Sequence, residues 1–469
     1  MNLTLVLLLA YAAGLIGLGV WIGRRVESSG GFFVANRRLG PVLLFSTVLA
    51  ANIGGTSTVG AAGLGYLDGL SAWWWVGSAA VGTTVLALWI GPRIWRIATS
   101  NGLYTMGDYL EHRYGGSVRA TITVLLWIGM PALLAAQFIA MAKILSFVAG
   151  TPHWAGVLIG GIVVTAYFTA GGLLTSAWVN LVQLLVLTVG FAIAVPWALI
   201  AAGGWSALVA AAPQTTNYMN FWQGGSSGWI YLALVAPNFI VSPGLIQKVY
   251  GAVDERAIRI GVGAAAMALL IFAIGPPLFG MIARVYDPNL VDNEHALMVV
   301  LTTGLPTMVG ALGLAAVVSA EISSADAILF MLSTSLSKDL YKRFVRLDAS
   351  DAQVLKMARW AAVGGGGLGV LLALVLPSVI TAISIFYALM AVCLFVPVVA
   401  GLYTRLPGVP EALAASGVGA ITLISIRLAD LSGSSPWLDP TLLGISASAI
   451  AFVVVAAWRS SRAAPVEPS

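Results

Sequence analysis

The sequence predicts an all-α, polytopic membrane protein with about thirteen transmembrane helices, folded as a single transmembrane domain over residues 1–469. Hydrophobic residues make up 59% of the chain and charged residues only 9%, and the mean hydropathy is +0.95. A soluble globular protein does not tolerate so apolar a surface. Apolar runs of about 20 residues recur along the chain, which is the length that an α-helix needs to cross the hydrocarbon core.

The positions of the spans follow from the apolar segments and the breaks between them. We number the spans in chain order. They are 3–22, 41–67, 71–92, 118–149, 154–170, 175–202, 228–247, 258–285, 305–336, 355–376, 378–403, 408–428 and 438–458.

The distribution of basic residues supports this count and gives an orientation. With the N-terminus outside and the C-terminus in the cytoplasm, 20 of the 23 Lys and Arg residues fall on the cytoplasmic side, including Lys248 after the seventh span. Lys143 lies inside the fourth span, and Arg284 and Arg427 lie near outer ends. This positive-inside pattern predicts an integral protein of the bacterial inner (plasma) membrane, with a short cytoplasmic tail at 459–469.

Two spans contain helix-breaking residues. The second span is interrupted at Ile53-Gly54-Gly55, and the seventh around Pro237-Asn238 and Ser242-Pro243-Gly244. Counted from these breaks, spans two to six (41–202) and seven to eleven (228–403) form two five-helix halves that begin on opposite sides of the membrane. This pattern is typical of inverted-repeat transporters, in which unwound backbone binds a cation and half-helix N-termini face the solute. Glycine and proline also occur in ordinary membrane helices, so the matched pair of breaks favours transport.

Small and hydroxyl residues share one face of the ninth span. Ala320, Ser323 and Ser324 lie three and four positions apart, which places them together on a helix. Two hydroxyls and the Ala320 carbonyl are suitable ligands for a hard cation, and carbonyls of the broken second span would complete its shell. Serine hydroxyls also bond to carbonyls of their own helix, so the pattern alone leaves both interpretations open.

Several motifs resemble those of the sodium:solute symporter family over about residues 30–405. The motifs are GFFVANRR at 31–38, AANI at 50–53, GLGY at 63–66, GGL at 171–173 followed by WVNLVQ at 178–183, and the ninth-span run that ends in KDLYK at 338–342. The resemblance implies a leucine-transporter-like inverted-repeat fold. It also implies a sodium site built from carbonyls of Ala50, Ile53 and Ala320 with hydroxyls of Ser323 and Ser324.

Two departures from the family pattern bear on the number of ions. Many members have an aspartate where this chain has Asn180, and two-sodium members have hydroxyls where it has Asp326 and Ala327. We therefore expect one sodium ion per solute. His112, His153 and His295 lie in separate segments, so sodium is the only metal expected, with no transition metal and no other cofactor.

Charged residues also occur in the interior of predicted spans, at Glu321, Asp326 and Lys143, where an unpaired charge costs at least about 2.5–3.5 kcal/mol. Asp326 is expected to have a structural role near the cation. A buried Glu321 could stay protonated and carry a coupled proton, although a hydrogen-bonded or Lys-paired structural acid is the favoured interpretation. Lys143 lies nearer the outer face and is expected to snorkel rather than to pair.

The solute is expected to bind between the two broken spans. The candidate residues are Asn52, Gly54, Gly55, Thr56, Ser57, Gln137, Asn238 and Ser242. Phe239 is the only aromatic residue of the broken segments, which disfavours an aromatic cage for a quaternary ammonium. Small uncharged linings beside half-helix N-termini would suit a carboxylate, such as a short organic acid or an amino acid.

These observations predict sodium-coupled symport of a small organic solute by alternating access. The partners expected are the solute, sodium and the lipid bilayer, with no nucleic acid and no obligate protein partner. Two alternatives remain open: proton-coupled symport through Glu321 or Asp326, and a membrane sensor that binds a solute without transporting it. No paired histidines or facing nucleophile and base point to an enzyme.

Overall fold

The computed structural model describes residues 34–169, 173–213, 217–404, 408–429 and 438–462, together with seven single positions between Val6 and Trp21. Most of the first predicted span lies outside the described residues. So do residues 31–33, 171–172 and 463–469, which carry parts of two motifs and most of the predicted tail.

The described elements are helices, apart from one antiparallel pair of short strands, Gln223–Gly224 and Ser227–Gly228. The α-helices are Pro41–Asn52, Ala61–Asp68, Trp73–Val85, Gly91–Ser100, Met106–Tyr114, Gly116–Ala149, His153–Thr169, Leu173–Ala201, Gly204–Ala210, Tyr231–Leu234, Ala236–Val241, Pro243–Tyr250, Glu255–Phe272, Gly275–Tyr286, Ala296–Thr303, Thr307–Thr334, Asp351–Val375, Val379–Tyr403, Val409–Leu428 and Pro440–Arg462. Single 3₁₀ turns occupy Ala35–Arg37, Gly69–Ala72 and Asn293–His295, and π-helical turns occupy Thr56–Gly60, Leu86–Ile90 and Ser335–Val345.

Ten helical segments of the described ranges are long and apolar enough to cross a membrane. Two shorter apolar helices, Pro41–Asn52 and His153–Ala166, fall on the second and fifth predicted spans. The structure therefore has the predicted all-helical membrane architecture, while the count of thirteen spans and the five-plus-five repeat stay predictions.

Several helices continue past the predicted span ends. The third continues to Ser100, the ninth to Val345, and the last to Arg462, so the first four residues of the predicted tail are helical. Hydropathy places a boundary at the first charged residues, but lysine and arginine side chains reach from a helix into the interface without ending it.

Both predicted breaks are present, with one difference. The second span ends its first helix at Asn52, and Ile53 is extended (φ −109°, ψ 109°) before the chain turns helical again at Thr56. In the seventh span the backbone opens at Ser242 (φ −52°, ψ 119°). Pro237 does not break the helix, because it lies in the first turn of Ala236–Val241, where a proline loses no hydrogen bond.

The ninth span is the most buried membrane helix of the described ranges. Its most apolar window is 94% buried, against 72% or less for the other nine. It packs against the second, fourth, sixth and tenth spans. A helix surrounded in this way brings its polar side chains to the centre of the molecule.

A buried arginine joins the C-terminal end of this helix to its neighbours. Arg119 is 5% exposed and lies 2.8 Å from Asp108, 2.7 Å from Glu111 and 2.7 Å from Asp339. The hydrogen bond from Arg343, with the charge of Arg119, lowers the pKa of Glu111. The helix Met106–Tyr114 is thereby fixed to the end of the ninth span.

Glycines allow the part of the second span that follows the break to touch the eighth span. A Cβ atom at Gly280 would overlap the carbonyl oxygen of Ala62, and one at Gly65 would overlap that of Pro277. The two backbones are therefore in direct contact, which holds Ala61–Asp68 against Gly275–Tyr286.

Replacing Gly280 by alanine is expected to lower the midpoint of thermal unfolding, because overpacking costs about 1–3 kcal/mol. Gly263→Ala is the matched control in the same span, since its added methyl group meets nothing within 4 Å. Both midpoints are measured on the purified protein in one detergent. Equal midpoints for the two variants would contradict direct backbone contact at Gly280.

Candidate functional site

The break in the second span lies against the small-residue face of the ninth. Ser324 Oγ is 2.8 Å from the carbonyl oxygen of Ile53 and 3.2 Å from that of Ala50. Ser323 Oγ is 3.2 Å from the Ala50 carbonyl and 3.0 Å from the Ala320 carbonyl. The structure therefore brings together all the oxygen atoms of the predicted cation site.

This group, which we call the oxygen cluster, holds more acceptors than donors. It consists of the carbonyl oxygens of Ala50, Ile53 and Ala320 and the hydroxyl oxygens of Ser323 and Ser324. Each hydroxyl has one proton to donate, and three carbonyls compete for the two. A hard cation would satisfy all the lone pairs at once.

The break itself frees the two second-span carbonyls. In an unbroken helix, the Ala50 carbonyl would accept from the Gly54 N–H and the Ile53 carbonyl from the Ser57 N–H. Here Gly54 N–H donates to Ser57 Oγ at 2.9 Å, and Ser57 N–H donates to the Gly54 carbonyl at 3.0 Å. Both carbonyls are left to the ninth span.

A small cavity of about 60 Å³ lies beside the oxygen cluster, between the two broken spans. Six of the eight predicted solute residues line it: Asn52, Gly54, Thr56, Gln137, Asn238 and Ser242. The other lining residues are Ala51, Leu133, Phe239, Gly244, Leu245, Lys248, Ser324, Ala327, Ile328, Met331, Ile383, Phe386 and Tyr387.

The two remaining predicted solute residues are absent from this lining. Gly55 donates its N–H to Gln137 Oε1 at 2.8 Å, and Ser57 Oγ is occupied within the turn. Polar groups beside a chain break are used first to satisfy the freed backbone, which the sequence pattern does not reveal.

Two asparagines of the cavity each have an acceptor without a donor. Asn52 Nδ2 donates to Thr83 Oγ1 at 3.2 Å, and Asn238 Nδ2 donates to the Leu234 carbonyl at 3.0 Å. Neither Oδ1 atom has a hydrogen-bond partner among the described residues, although both side chains are buried. Such atoms are usually satisfied by water or by a ligand.

Sequence reasoning missed three aromatic or charged residues of the cavity. Phe386 and Tyr387 come from the eleventh span, and the Tyr387 ring lies 5.8 Å from that of Phe239. The cavity therefore has more aromatic surface than the broken segments alone provide. No local motif marks these rings, because tertiary packing brings them to the site.

Lys248 is the third missed residue, and its assignment to a cytoplasmic loop is wrong. It lies in the helix Pro243–Tyr250, is 1% exposed, and lines the cavity. Its Nζ donates to Thr47 Oγ1 at 3.2 Å. The positive-inside rule sorts charges by position along the chain, so it does not detect a lysine that the helix turns inward.

The predicted buried charges differ in their surroundings. Glu321 is fully buried, and its Oε1 accepts a hydrogen bond from Thr58 Oγ1 at 3.0 Å. Asp326 and Asn180 are also buried, on the ninth and sixth spans. Glu321 is thus hydrogen-bonded, which both a structural acid and a proton carrier would permit, and Lys143 pairs with other carboxylates.

The expectation that Lys143 snorkels is wrong. Its Nζ pairs with Asp292 and, at 2.9 Å, with Glu294, which is 2% exposed. Glu294 Oε1 also accepts the N–H of Val379 at 2.9 Å. These two carboxylates lie far from Lys143 in sequence, so only the folded structure reveals the pairing. Burial alone would raise the pKa of Asp292, but the hydrogen bond and charge of Lys143 lower it.

Comparison with known proteins gives a family and several relatives. The model of the sodium:solute symporter family matches residues 32–419. The chain is 28% identical to the sodium/pantothenate symporter of Escherichia coli K12, over 95% of each chain. It is 26% identical to the human high affinity choline transporter 1, over 73% of this chain and 62% of that one, and 23% identical to the Vibrio parahaemolyticus sodium/glucose cotransporter, over 75% and 71%.

Solved structures show the same fold. A Na⁺-coupled sialic acid symporter in a substrate-bound outward-open state superposes with a TM-score of 0.82, at 17% identity and with 97% of each chain covered. Mhp1, a nucleobase-cation-symport-1 family transporter, superposes with a TM-score of 0.53 over 94% of this chain and 98% of that one.

Lys143→Met is expected to destabilise the protein by about 3–5 kcal/mol, because it leaves the buried Glu294 carboxylate without its cation. Adding Glu294→Gln should recover part of this loss. Thermal unfolding of the two single variants and the double variant gives the coupling energy, with Lys342→Met at the cytoplasmic end as the control. Additive effects would contradict the pairing.

Proposed function

The chain belongs to the sodium:solute symporter family, and on that basis we propose that it is a secondary active transporter in which sodium drives the uptake of a small organic solute. The observation that supports this proposal most directly is the position of Ser324. Its hydroxyl belongs to the oxygen cluster, and the same residue lines the cavity between the broken spans. Ion and solute would then bind to neighbouring parts of the same chain break.

In this proposal, a sodium ion takes the place of the serine hydrogen bonds as the link between the second and ninth spans. Bound sodium would fix the freed carbonyls of Ala50 and Ile53 to Ser323 and Ser324, and so stabilise the conformation that accepts the solute. Its release inside would loosen the contact and let the solute leave. The cavity of about 60 Å³ would hold only a few water molecules, so its walls would move during the cycle.

We further propose the arrangement that the sequence predicts: thirteen spans, two inverted five-helix halves, the N-terminus outside and the C-terminus in the cytoplasm of a bacterial plasma membrane. One sodium ion would accompany each solute. The residues at three positions support this stoichiometry. Many members have an aspartate where this chain has Asn180, and two-sodium members have hydroxyls where it has Asp326 and Ala327.

The proposed solute is a small organic acid or amino acid. Relatives named for pantothenate and proline transport carry solutes with a carboxylate, and the pantothenate relative aligns over 95% of this chain. The second candidate is proton-coupled symport through Glu321 or Asp326. It is supported by Glu321 Oε2, which has no hydrogen-bond partner in the described part of the chain. A sensor that binds the solute without transport is the third.

Ser324→Ala is expected to raise the sodium concentration for half-maximal uptake about tenfold or more, because it removes one ligand of the ion. Uptake into proteoliposomes is measured under an imposed sodium gradient, with labelled solute and labelled sodium counted together. Ser333→Ala, on the same helix but outside the oxygen cluster, is the control. An unchanged sodium dependence in Ser324→Ala, or two sodium ions per solute, would contradict the proposed site or stoichiometry.

Glu321→Gln distinguishes the two coupling ions. If the acid is structural, the amide keeps the bond with Thr58 and most sodium-driven uptake remains. Uptake driven by a pH gradient without sodium, and lost in Glu321→Gln or Asp326→Asn, would instead establish proton coupling. Solute binding without flux under either gradient would establish a sensor.

A further inference from the structure

Lys248 is the charged residue among those that line the cavity between the broken spans. Its side chain is 1% exposed, and one of its three N–H donors is used by Thr47. Burial disfavours its charged form, and the carboxylate of Asp326, on the ninth span, favours it. A cation in this position is costly unless anions balance it, so it is expected to have a function.

The helix that carries Lys248 adds a second positive pole. Pro243–Tyr250 begins at the break beside the cavity, and Gly244 and Leu245 in its first turn line the same space. First-turn N–H groups have no acceptor within a helix and carry the positive end of its dipole. Lys248 lies one turn after Gly244 on the same helix face, and helical side chains lean toward the N-terminus. The ammonium and the dipole therefore act on one region.

The two asparagines of the cavity have the opposite requirement. Their Oδ1 atoms are buried acceptors without a hydrogen-bond partner among the described residues. Leaving such an acceptor unsatisfied costs about 1–3 kcal/mol, which a hydroxyl or N–H group of the solute would offset. The lining of the cavity therefore combines a cationic donor with neutral acceptors.

The aromatic rings alone would permit a different solute. Phe239, Phe386 and Tyr387 present the kind of surface that binds a quaternary ammonium. Lys248 decides between the two classes, because a second cation in the same buried cavity would be repelled, whereas a carboxylate would be attracted.

We propose, as an extension of the proposed function, that Lys248 is the charge-selecting residue of the solute site. It binds the carboxylate of an anionic solute that also carries hydroxyl or amide N–H donors for Asn52 and Asn238. It excludes cationic solutes that the aromatic walls would otherwise accept.

The test is equilibrium binding to the purified full-length protein in sodium buffer, followed by thermal shift. Two matched pairs of probes differ only at the carboxylate: pantothenate with its neutral alcohol pantothenol, and lactate with lactamide. Choline is the cationic probe. We expect at least one carboxylate to bind about tenfold or more tightly than its neutral partner. Choline should produce no shift.

Lys248→Met should abolish that preference and leave binding of the neutral partner unchanged, and Lys248→Arg should retain part of it. If Lys248→Met does not fold, Thr47→Val, which removes the hydroxyl that positions the ammonium, is expected to reduce the preference. Lys342→Met is the control.

Three results would overturn the proposal: no carboxylate of the panel binds, a neutral or cationic probe binds as tightly as its carboxylate counterpart, or the folded Lys248→Met variant keeps the preference. Binding at equilibrium requires no transport. A charge preference without sodium-driven flux would therefore contradict the proposed function alone, and flux without a charge preference would contradict only the role of Lys248.

Discussion

The rest of the structure depends on the backbone hydrogen bonds that the second span leaves open at Ile53. Unsatisfied carbonyls are costly in a membrane, so the freed oxygens of Ala50 and Ile53 must find partners outside their helix. They find them in Ser323 and Ser324 of the most buried helix. The contact therefore joins two spans through hydrogen bonds that a bound cation can replace. Such a contact is suited to coupling ion binding to movement of the two spans.

Buried charges are gathered at three levels of the molecule. Lys143 is paired with Asp292 and Glu294 near the end of the helix Gly116–Ala149, and Arg119, near the start of that helix, is paired with three carboxylates. Both groups join helices that are distant in sequence. Lys248 differs, because it faces the cavity and uses a hydroxyl and the field of Asp326. The groups around Lys143 and Arg119 are structural contacts between helices, whereas Lys248 lines the cavity between the broken spans.

Local signals predicted much of the fold and the residues that form the oxygen cluster. Hydropathy gave the helical membrane class, and the glycine and proline patterns located both chain breaks, except that Pro237 starts a helix rather than ending one. The helical spacing and the family resemblance together named every atom of the oxygen cluster. What they missed depends on tertiary packing: the burial of Lys248, the rings of the eleventh span, and the partners of Lys143. Gly55 and Ser57 lie outside the lining of the cavity, and the break itself uses their polar groups.

We propose that a sodium ion binds between the second and ninth spans at the oxygen cluster. The most direct measurement is a pair of cryo-EM maps of the purified protein, one in sodium and one in potassium, at a resolution that shows single ions. If sodium binds there, a density peak is expected in the sodium map alone. It would be surrounded by the carbonyls of Ala50, Ile53 and Ala320 and the hydroxyls of Ser323 and Ser324. A sodium map with no such peak, in which Ser324 still donates to the Ile53 carbonyl, would contradict it.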